Sequence, residues 1–231
     1  MTVNSRVSPR WESPKAVAAF EGGRPNQVLV AFARAALEHG GGLEVLDVGC
    51  GAGRNAVPLA EMGYRVTGTD LSGPMIEGAR RYAAASSAAE RLRFLQEPMA
   101  QLPFEDASFD LVIAHGIWNL ATTDAELRAA IAEAGRVARP GAGLFLFTFS
   151  RSTLPAATAP VAGQSYVYTE FNGEPACFLT EAEVLGELAA AGFSRRPEGP
   201  LTEYNRPDPD PGHAPTSMAP AIWEGMFLRA G

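Results

Sequence analysis

A glycine-rich turn at residues 49–53 constrains the fold of this chain more than any other feature of its sequence. The apolar run Leu43 to Val48 precedes the turn and is typical of a buried parallel strand, and a helical pattern begins near Arg54. Further apolar runs at 64–69, 92–96, 109–114 and 143–149 alternate with helical segments. This alternation predicts parallel strands joined by right-handed crossovers, as in an α/β sheet.

The flanking segments predict additions to that sheet. Residues 9–38 indicate two helices broken at Gly22-Gly23, with Pro25 opening the second. Residues 165–178 indicate a hairpin turning at Asn172-Gly173, and Thr180 with Glu183 predicts a capping box at the start of the next helix. Residues 197–220, which contain seven prolines, predict no regular element, whereas 221–229 predict a final strand inserted in the antiparallel sense.

We therefore expect one doubly wound, Rossmann-like α/β domain over residues 1–231, with about seven mostly parallel strands and a last antiparallel strand. Its expected parts are N-terminal helices (1–40), a ligand-binding core (43–149), a lid insertion (150–178) and a C-terminal helix with sheet strands (179–231).

The spacing of the glycines distinguishes between two classes of ligand-binding motif. A dinucleotide fingerprint reads G-x-G-x-x-G, whereas Gly49, Gly51 and Gly53 give G-x-G-x-G with Asp47 two residues before it. Asp70 ends the second predicted strand, where nucleotide-binding α/β folds place an acid that accepts hydrogen bonds from ribose hydroxyls. The alternatives are a generic strand-to-helix turn and an Asp70 that only caps the helix beginning near Ser72.

Four segments together resemble the class I S-adenosylmethionine-dependent methyltransferases of the type-11 group, a group similar to the quinone-biosynthesis, tellurite-resistance-type and thiopurine-type methyltransferases. The segments are 45–55, 70–72, 102–112 and 136–143. The resemblance covers residues 43–149, less than half of the chain. Its motifs are specific for the cofactor and indicate almost nothing about the substrate.

The resemblance implies that S-adenosylmethionine is the cofactor, with the three glycines beneath its methionine part, Asp47 at its amino end and Asp70 at its ribose. Further expected cofactor contacts are Cys50, Asn55, Leu71, Met75, Glu97, Pro98, Met99 and His115. The family usually places an acid and a small residue after the third strand to hold the adenine, and this chain has Pro98-Met99 there. Since proline has no N–H, we expect Glu97 or the backbone of Met99 to take that contact.

The acceptor site is expected at the carboxyl ends of the strands. His115 follows the fourth strand and is the candidate general base, because its ordinary pKa lies near neutrality; the alternative is that it contacts the cofactor or packs beside it. Candidate substrate contacts are Trp11 (closing the site together with Phe20), Trp118, Tyr166 and Tyr168, and core packing is the alternative for the last three.

Composition and motifs exclude several classes of function. The net charge of −7 and the run Ala114 to Ile117, in place of an Asn/Asp-Pro-Pro-aromatic motif, argue against nucleic acid. No apolar run reaches the roughly 20 residues of a membrane span, and no secretory signal is visible, so no membrane partner is expected. Two cysteines favour the cytoplasm, and three scattered histidines predict no metal site.

The expected function is in-line methyl transfer to a small-molecule acceptor, releasing S-adenosylhomocysteine, by a monomer or homodimer. Two alternatives remain open: a non-catalytic S-adenosylmethionine-binding domain or subunit, and a nicotinamide-dependent oxidoreductase, which the glycine spacing disfavours.

Overall fold

The computed structural model describes residues 7–40, 42–196, 199–206 and 219–231. Its helices are α1 (Pro9–Glu12), α2 (Pro14–Phe20), α3 (Gln27–Glu38), α4 (Ala56–Glu61), α5 (Gly73–Ala84), α6 (Asp124–Val137) and α7 (Glu181–Ala190). Its strands are β1 (Glu44–Val48), β2 (Arg65–Asp70), β3 (Leu92–Gln96), β4 (Phe109–His115), β5 (Ala138–Phe149), β6 (Val167–Tyr168), β7 (Ala176–Cys177), β8 (Phe193–Arg195), β9 (Thr202–Tyr204) and β10 (Ile222–Arg229).

The main sheet has the order β3-β2-β1-β4-β5-β10-β8, with β9 also paired to β10. The strands from β3 to β5 are parallel, and β10 is inserted antiparallel to β5, which confirms the predicted sheet and its reversed last strand. The described sheet has eight strands rather than the expected seven, because β8 and β9 pair with opposite ends of the same edge of β10.

The strand order reverses at β1, which lies between β2 and β4. In open α/β sheets, ligands bind at the carboxyl ends of the strands on either side of such a reversal. The residues that directly follow β1, β2 and β4 therefore meet at one edge.

Apolar residues of the central strands point alternately to the two faces of the sheet. Leu46 and Val112 belong to the core cluster that also contains Leu127 of α6 and Leu188 of α7. Their neighbours Val45 and Leu111 belong to the other cluster, with residues of α3, α4 and α5. Burial on both faces explains the uninterrupted apolar runs of these strands.

The N-terminal segment departs from the prediction of two helices. Ser13 ends α1, and its side chain also caps α2, whose first residue is Pro14. The third helix, α3, begins after Asn26, whose Oδ1 accepts a hydrogen bond from the Leu29 N–H (3.0 Å). Val17 of α2 packs with Ala52 and Met75, so α2 lies against the glycine turn and α5.

The C-terminal half follows the predicted order with different bounds. The hairpin is present, but β6 and β7 are two residues long, so Asn172-Gly173 lies in a seven-residue connection (169–175) rather than a tight turn. The capping box of Thr180 and Glu183 is confirmed. Strand β5 begins at Ala138, directly after α6, and Pro140-Gly141 lies within its irregular first part.

The sequence predicted no regular element in the proline-rich segment 197–220 and no membrane-spanning segment. Strand β9 (Thr202–Tyr204) lies inside the segment 197–220, so the prediction of no regular element is wrong for those residues, and most of the remaining segment lies outside the described residues. None of the helices in the described ranges combines the length and the apolar character that a bilayer crossing requires.

Candidate active site

The turn between β1 and α4 has a backbone that requires glycine. Gly49, Gly51 and Gly53 have φ angles of 67°, 53° and 85°, in the left-handed region that side chains disfavour. A Cβ on Gly49 would also lie 2.4 Å from Cγ1 of Ile117. The loop therefore brings bare backbone close to the residues that follow β4.

Asp70, the last residue of β2, connects this loop to α5. Its Oδ2 accepts a hydrogen bond from the Gly51 N–H (2.9 Å), and its Oδ1 accepts one from the Ser72 N–H (2.8 Å). Burial raises the pKa of Asp70, and these hydrogen bonds oppose that rise. Because a carboxylate has about four lone-pair sites, Asp70 can hold the loop and still accept hydrogen bonds from a ligand.

Asp47 lies behind the glycine loop and is 1% exposed. Its Oδ2 is buried without a hydrogen-bond partner among the described residues. Burial raises the pKa of Asp47 to about 7, although the positive charge of Arg54 opposes the rise. A buried carboxylate oxygen without a partner suits a ligand that carries a positive charge or an N–H donor.

His115 is held by two nitrogen groups. Its Nδ1 lies 3.1 Å from Nη2 of Arg54, and its Nε2 lies 3.1 Å from Nδ2 of Asn26. The orientation of the Asn26 amide is fixed because Oδ1 caps α3, so Nδ2 faces His115 and also donates to Oε2 of Glu224 (2.7 Å). The imidazole stacks on Phe147 with 4.3 Å between the ring centroids.

This environment makes His115 a weak base. Burial and then the charge of Arg54 lower the pKa of His115 to about 4, so the ring is neutral at physiological pH. A neutral imidazole accepts a hydrogen bond at one ring nitrogen only, so one of the two contacts, from Arg54 or from Asn26, is a hydrogen bond and the other is a packing contact. The general-base role remains a prediction, and the geometry favours the alternative in which His115 supports the site.

A cavity of about 400 Å³ lies at the carboxyl ends of β1, β2 and β4. Residues 7–9, Trp11 and Phe20 form one cover in its lining, and Glu174 and Pro175 of the β6–β7 connection form a second cover. The Ser8 hydroxyl donates to Oε1 of Glu174 (2.9 Å), so the two covers are joined by a hydrogen bond.

The structure brings most of the predicted residues to this cavity. Its lining includes Trp11, Gly49, Gly51, Asp70, Leu71, Met75, Glu97, Met99 and His115. Asp47, Cys50, Gly53, Asn55 and Pro98 are not lining residues. Cys50 is a buried thiol whose pKa is raised by burial, and Oδ1 of Asn55 accepts the N–H of Asn26 (3.0 Å), so both support the loop from behind.

Three predicted substrate contacts do not line this cavity, and their role stays a prediction. Trp118 is packed in the core with Leu127 and does not line the cavity. The Tyr166 hydroxyl donates to Glu187 (2.6 Å), and the Tyr168 hydroxyl accepts from Arg151 (3.1 Å), so both rings are held away from the cavity. The pattern of alternating residues in 165–171 does not determine which side of a short hairpin faces the site.

Sequence reasoning missed several lining residues, among them Leu120, Thr122, Glu126, Glu174 and Pro175. Leu120 and Thr122 come soon after β4, and their position after a central strand was a usable signal. Glu126 and Glu174 had no such signal, because each looks like an ordinary acid at a helix start or in a turn. Within the described residues, no group of three His, Cys, Asp or Glu side chains could hold a metal ion.

Comparison with known proteins identifies the region that contains this site. Residues 45–141 match the profile of a family described as a methyltransferase domain. The chain carries a methyltransferase domain of this family. The match confirms the resemblance inferred from the glycine turn and the segments around it.

Curated relatives of this methyltransferase domain include enzymes of quinone biosynthesis. The ubiquinone biosynthesis O-methyltransferase of Methylocella silvestris is 35% identical over 156 residues, which cover 66% of this chain and 59% of the relative. The demethylmenaquinone methyltransferase of Clavibacter sepedonicus is 30% identical over 169 residues, which cover 66% of each chain. The chain thus spans about half to two thirds of the length of the curated relatives it matches.

Solved structures show the same fold. A methyltransferase from Methanosarcina mazei, described as S-adenosylmethionine-dependent, has a TM-score of 0.62 at 24% identity and covers 81% of this chain and 92% of its own. Magnesium protoporphyrin IX methyltransferase from Synechocystis, solved with S-adenosylmethionine bound, has a TM-score of 0.63 at 20% identity and covers 99% and 100%. At these identities the likeness shows the fold alone.

Proposed function

We propose that this chain transfers the methyl group of S-adenosylmethionine to a small-molecule acceptor and releases S-adenosylhomocysteine. The observation that carries the proposal is the placement of the glycine turn and Asp70 side by side on one cavity, at the point where the strand order reverses. The methyltransferase domain over residues 45–141 supports the same reaction class.

The residues present fit this cofactor. Gly49 and Gly51 offer backbone without side chains to its methionine part, and the unpartnered oxygen of Asp47 suits its ammonium group, directly or through water. Asp70 has lone pairs left for the ribose hydroxyls. Leu71, Met75 and Met99 provide an apolar wall for the adenine, and Glu97 lines the same side.

The chain's contribution to the reaction is positioning and exclusion of water. When bound, S-adenosylmethionine supplies a methyl group on a positively charged sulfur, which a nucleophile attacks in line. Such a displacement depends on alignment, so Trp11, Phe20, Ile117 and Leu120 act by confining the acceptor in an apolar space. His115 acts by packing between Arg54 and Asn26 and accepting a hydrogen bond from one of them, rather than by moving a proton.

Several further properties belong to this proposal. We place residues 1–231 in one domain, with 1–40 and 150–178 as covers of the site and 179–231 completing the sheet. The net charge of −7 supports a protein without a nucleic-acid partner. We also propose that it is a cytoplasmic monomer or homodimer without a membrane partner.

Calorimetric titration with S-adenosylmethionine and S-adenosylhomocysteine tests the proposal, followed by transfer of a labelled methyl group to a panel of small acceptors. We expect both compounds to bind with micromolar affinity and at least one acceptor to be labelled. Binding without any labelling would favour a non-catalytic binding domain, and binding of NADH in place of both compounds would contradict the proposal.

A matched pair of glycine variants makes the titration specific to the site. Gly49 and Gly163 both have positive φ, but a Cβ on Gly49 meets Ile117, whereas a Cβ on Gly163 meets no atom within 4 Å. Gly49→Ala should abolish binding of S-adenosylhomocysteine, and Gly163→Ala should retain it. Melting temperatures of both variants separate loss of the site from loss of the fold.

A further inference from the structure

The described residues that line the cavity are unbalanced in charge. Four of them are acidic, namely Asp70, Glu97, Glu126 and Glu174, and none is lysine or arginine. Arg54 contacts two lining residues, Phe20 and His115, but it does not line the cavity itself. Its positive charge is opposed by the nearby carboxyl group of Asp47. The cavity therefore has a net negative character beyond its apolar wall.

The four acids lie in two separate parts of the cavity wall. Asp70 ends β2 and Glu97 follows β3, among the residues assigned above to the cofactor. Glu126 belongs to the first turn of α6, and Glu174 belongs to the β6–β7 connection. The second pair therefore borders the space that remains for an acceptor, together with Leu120, Thr122 and Pro175.

The Glu126 carboxylate is fixed in position. Its Oε2 accepts hydrogen bonds from the backbone N–H (2.8 Å) and the hydroxyl (2.9 Å) of Thr122, and the residue is 6% exposed. It lies at the N-terminus of the 14-residue helix α6, where the helix dipole favours a negative charge. A buried carboxylate held in this way interacts strongly with charges on a bound molecule.

Glu174 stands at the mouth of the same space. Its Oε1 accepts the hydrogen bond from Ser8, which connects the two covers. Because Glu174 is exposed, its field is screened more than that of Glu126. Glu126 should therefore contribute the larger share of any charge selection.

We propose that Glu126 and Glu174 determine acceptor specificity: the site takes a compact, largely apolar acceptor that carries a protonated amine, and it rejects acceptors that carry a carboxylate or a phosphate. This inference rests on the proposed methyl transfer, because it assigns the acceptor of that reaction. It concerns the group that the two acids recognise and leaves open which atom of the acceptor is methylated.

Three probes of nearly equal size and different charge test the inference: phenethylamine, 2-phenylethanol and 3-phenylpropionate. Each is titrated at neutral pH into the full chain saturated with S-adenosylhomocysteine, and millimolar dissociation constants are read by ligand-observed NMR. We expect the amine to bind about tenfold more tightly than the carboxylate, with the alcohol between them. Equal or tighter binding of the carboxylate, or no detectable binding of the amine, overturns the inference.

Charge-neutral variants assign the preference to the two acids. Glu126→Gln keeps an acceptor oxygen for Thr122, and combined with Glu174→Gln it should reduce the ratio between amine and carboxylate to about one. Glu90→Gln is the matched control, because it removes one charge from an exposed residue that does not line the cavity. A ratio that stays at the wild-type value in the double variant also overturns the inference.

The same titrations distinguish the inference from the proposed function. Failure of S-adenosylhomocysteine to bind would contradict the function itself. Normal binding of S-adenosylhomocysteine without a preference for the amine would contradict only the assignment of the acceptor.

Discussion

Nη2 of Arg54 lies 3.1 Å from Nδ1 of His115, so a cation directly after the glycine turn faces the imidazole at the end of β4. The guanidinium also lies over the ring of Phe20, 5.3 Å from its centroid. Arg54 thus connects the glycine turn, the fourth strand and one cover of the cavity. Removing its charge should change the properties of all three.

Arg54→Met should raise the pKa of His115 from about 4, while keeping it below 6.5 because burial, the larger cause, remains. A histidine whose pKa is lower in the folded protein stabilises it above pH 6.5, and this stability is lost as the pH falls from about 6.5 through about 4. The ring-proton NMR signal of His115, assigned by comparison with His115→Gln, measures the pKa. A wild-type value near 6.5 would show that the ring is neither buried nor opposed by Arg54.

Ionisation of Asp47 should make cofactor binding dependent on pH. Its pKa is raised to about 7, so its carboxyl group stabilises the folded protein below pH 3.8, and that contribution is lost as the pH rises through about 7. A cationic ammonium group favours the ionised form, so the affinity for S-adenosylhomocysteine should increase as the pH rises through about 7, with release of a proton.

Asp47→Asn isolates this effect. It should weaken binding of S-adenosylhomocysteine about tenfold at pH values above 7, raise the free energy of unfolding of the unliganded protein there and remove the proton release. Calorimetry in two buffers of different ionisation enthalpy counts the protons. If the variant showed the same pH dependence of binding, a group other than Asp47 would be responsible for it.

Loss of the Asp70 carboxylate should reduce cofactor affinity more than any change at residues 97–99. Asp70→Ala removes both the support of Gly51 and the acceptor for the ribose, so we expect a loss of about 100-fold or more. Glu97→Ala should cost less, and Asp106→Ala, which removes a carboxylate that is 79% exposed, should leave binding unchanged. Wild-type affinity in Asp70→Ala would show that the ribose lies elsewhere.

Asn26 has two roles that different substitutions separate. Asn26→Ala removes both the cap of α3 and the contacts to His115 and Glu224, and it should lower the free energy of unfolding by about 1–2 kcal/mol or more. Asn26→Ser retains a good cap without the second donor, so the difference between the two variants measures the cap. If both variants unfold at the same denaturant concentration, the cap contributes nothing measurable.

The sequence predicted those parts of the fold and site that depend on local patterns. Burial of both sheet faces produced the apolar runs of β1 and β4, and the positive φ angles of the loop required glycine at 49, 51 and 53. Asp70 was placed correctly because it ends a central strand.

Contacts between distant parts of the chain were not predictable in this way. The hydrogen bond of Asn26 to Glu224 joins residues 198 positions apart, and no local pattern marks either residue. The positions of Tyr166 and Tyr168 outside the cavity lining were not predictable for the same reason, because their hydroxyls bond to Glu187 and Arg151 from other elements. Side-chain partners from other elements override the alternation of a strand that is two residues long.

The hydrogen bond between Ser8 and Glu174 joins two segments that both lie outside the family match over residues 45–141. The glycine turn and Asp70 therefore lie inside the match, whereas these two covers of the cavity lie outside it. Substitutions in these two covers can change which acceptor binds without altering the glycine turn or Asp70. Because Glu126 lies inside the match, an exchange of selectivity would require residues 7–20 and 169–175 to be transferred to a relative together with residue 126.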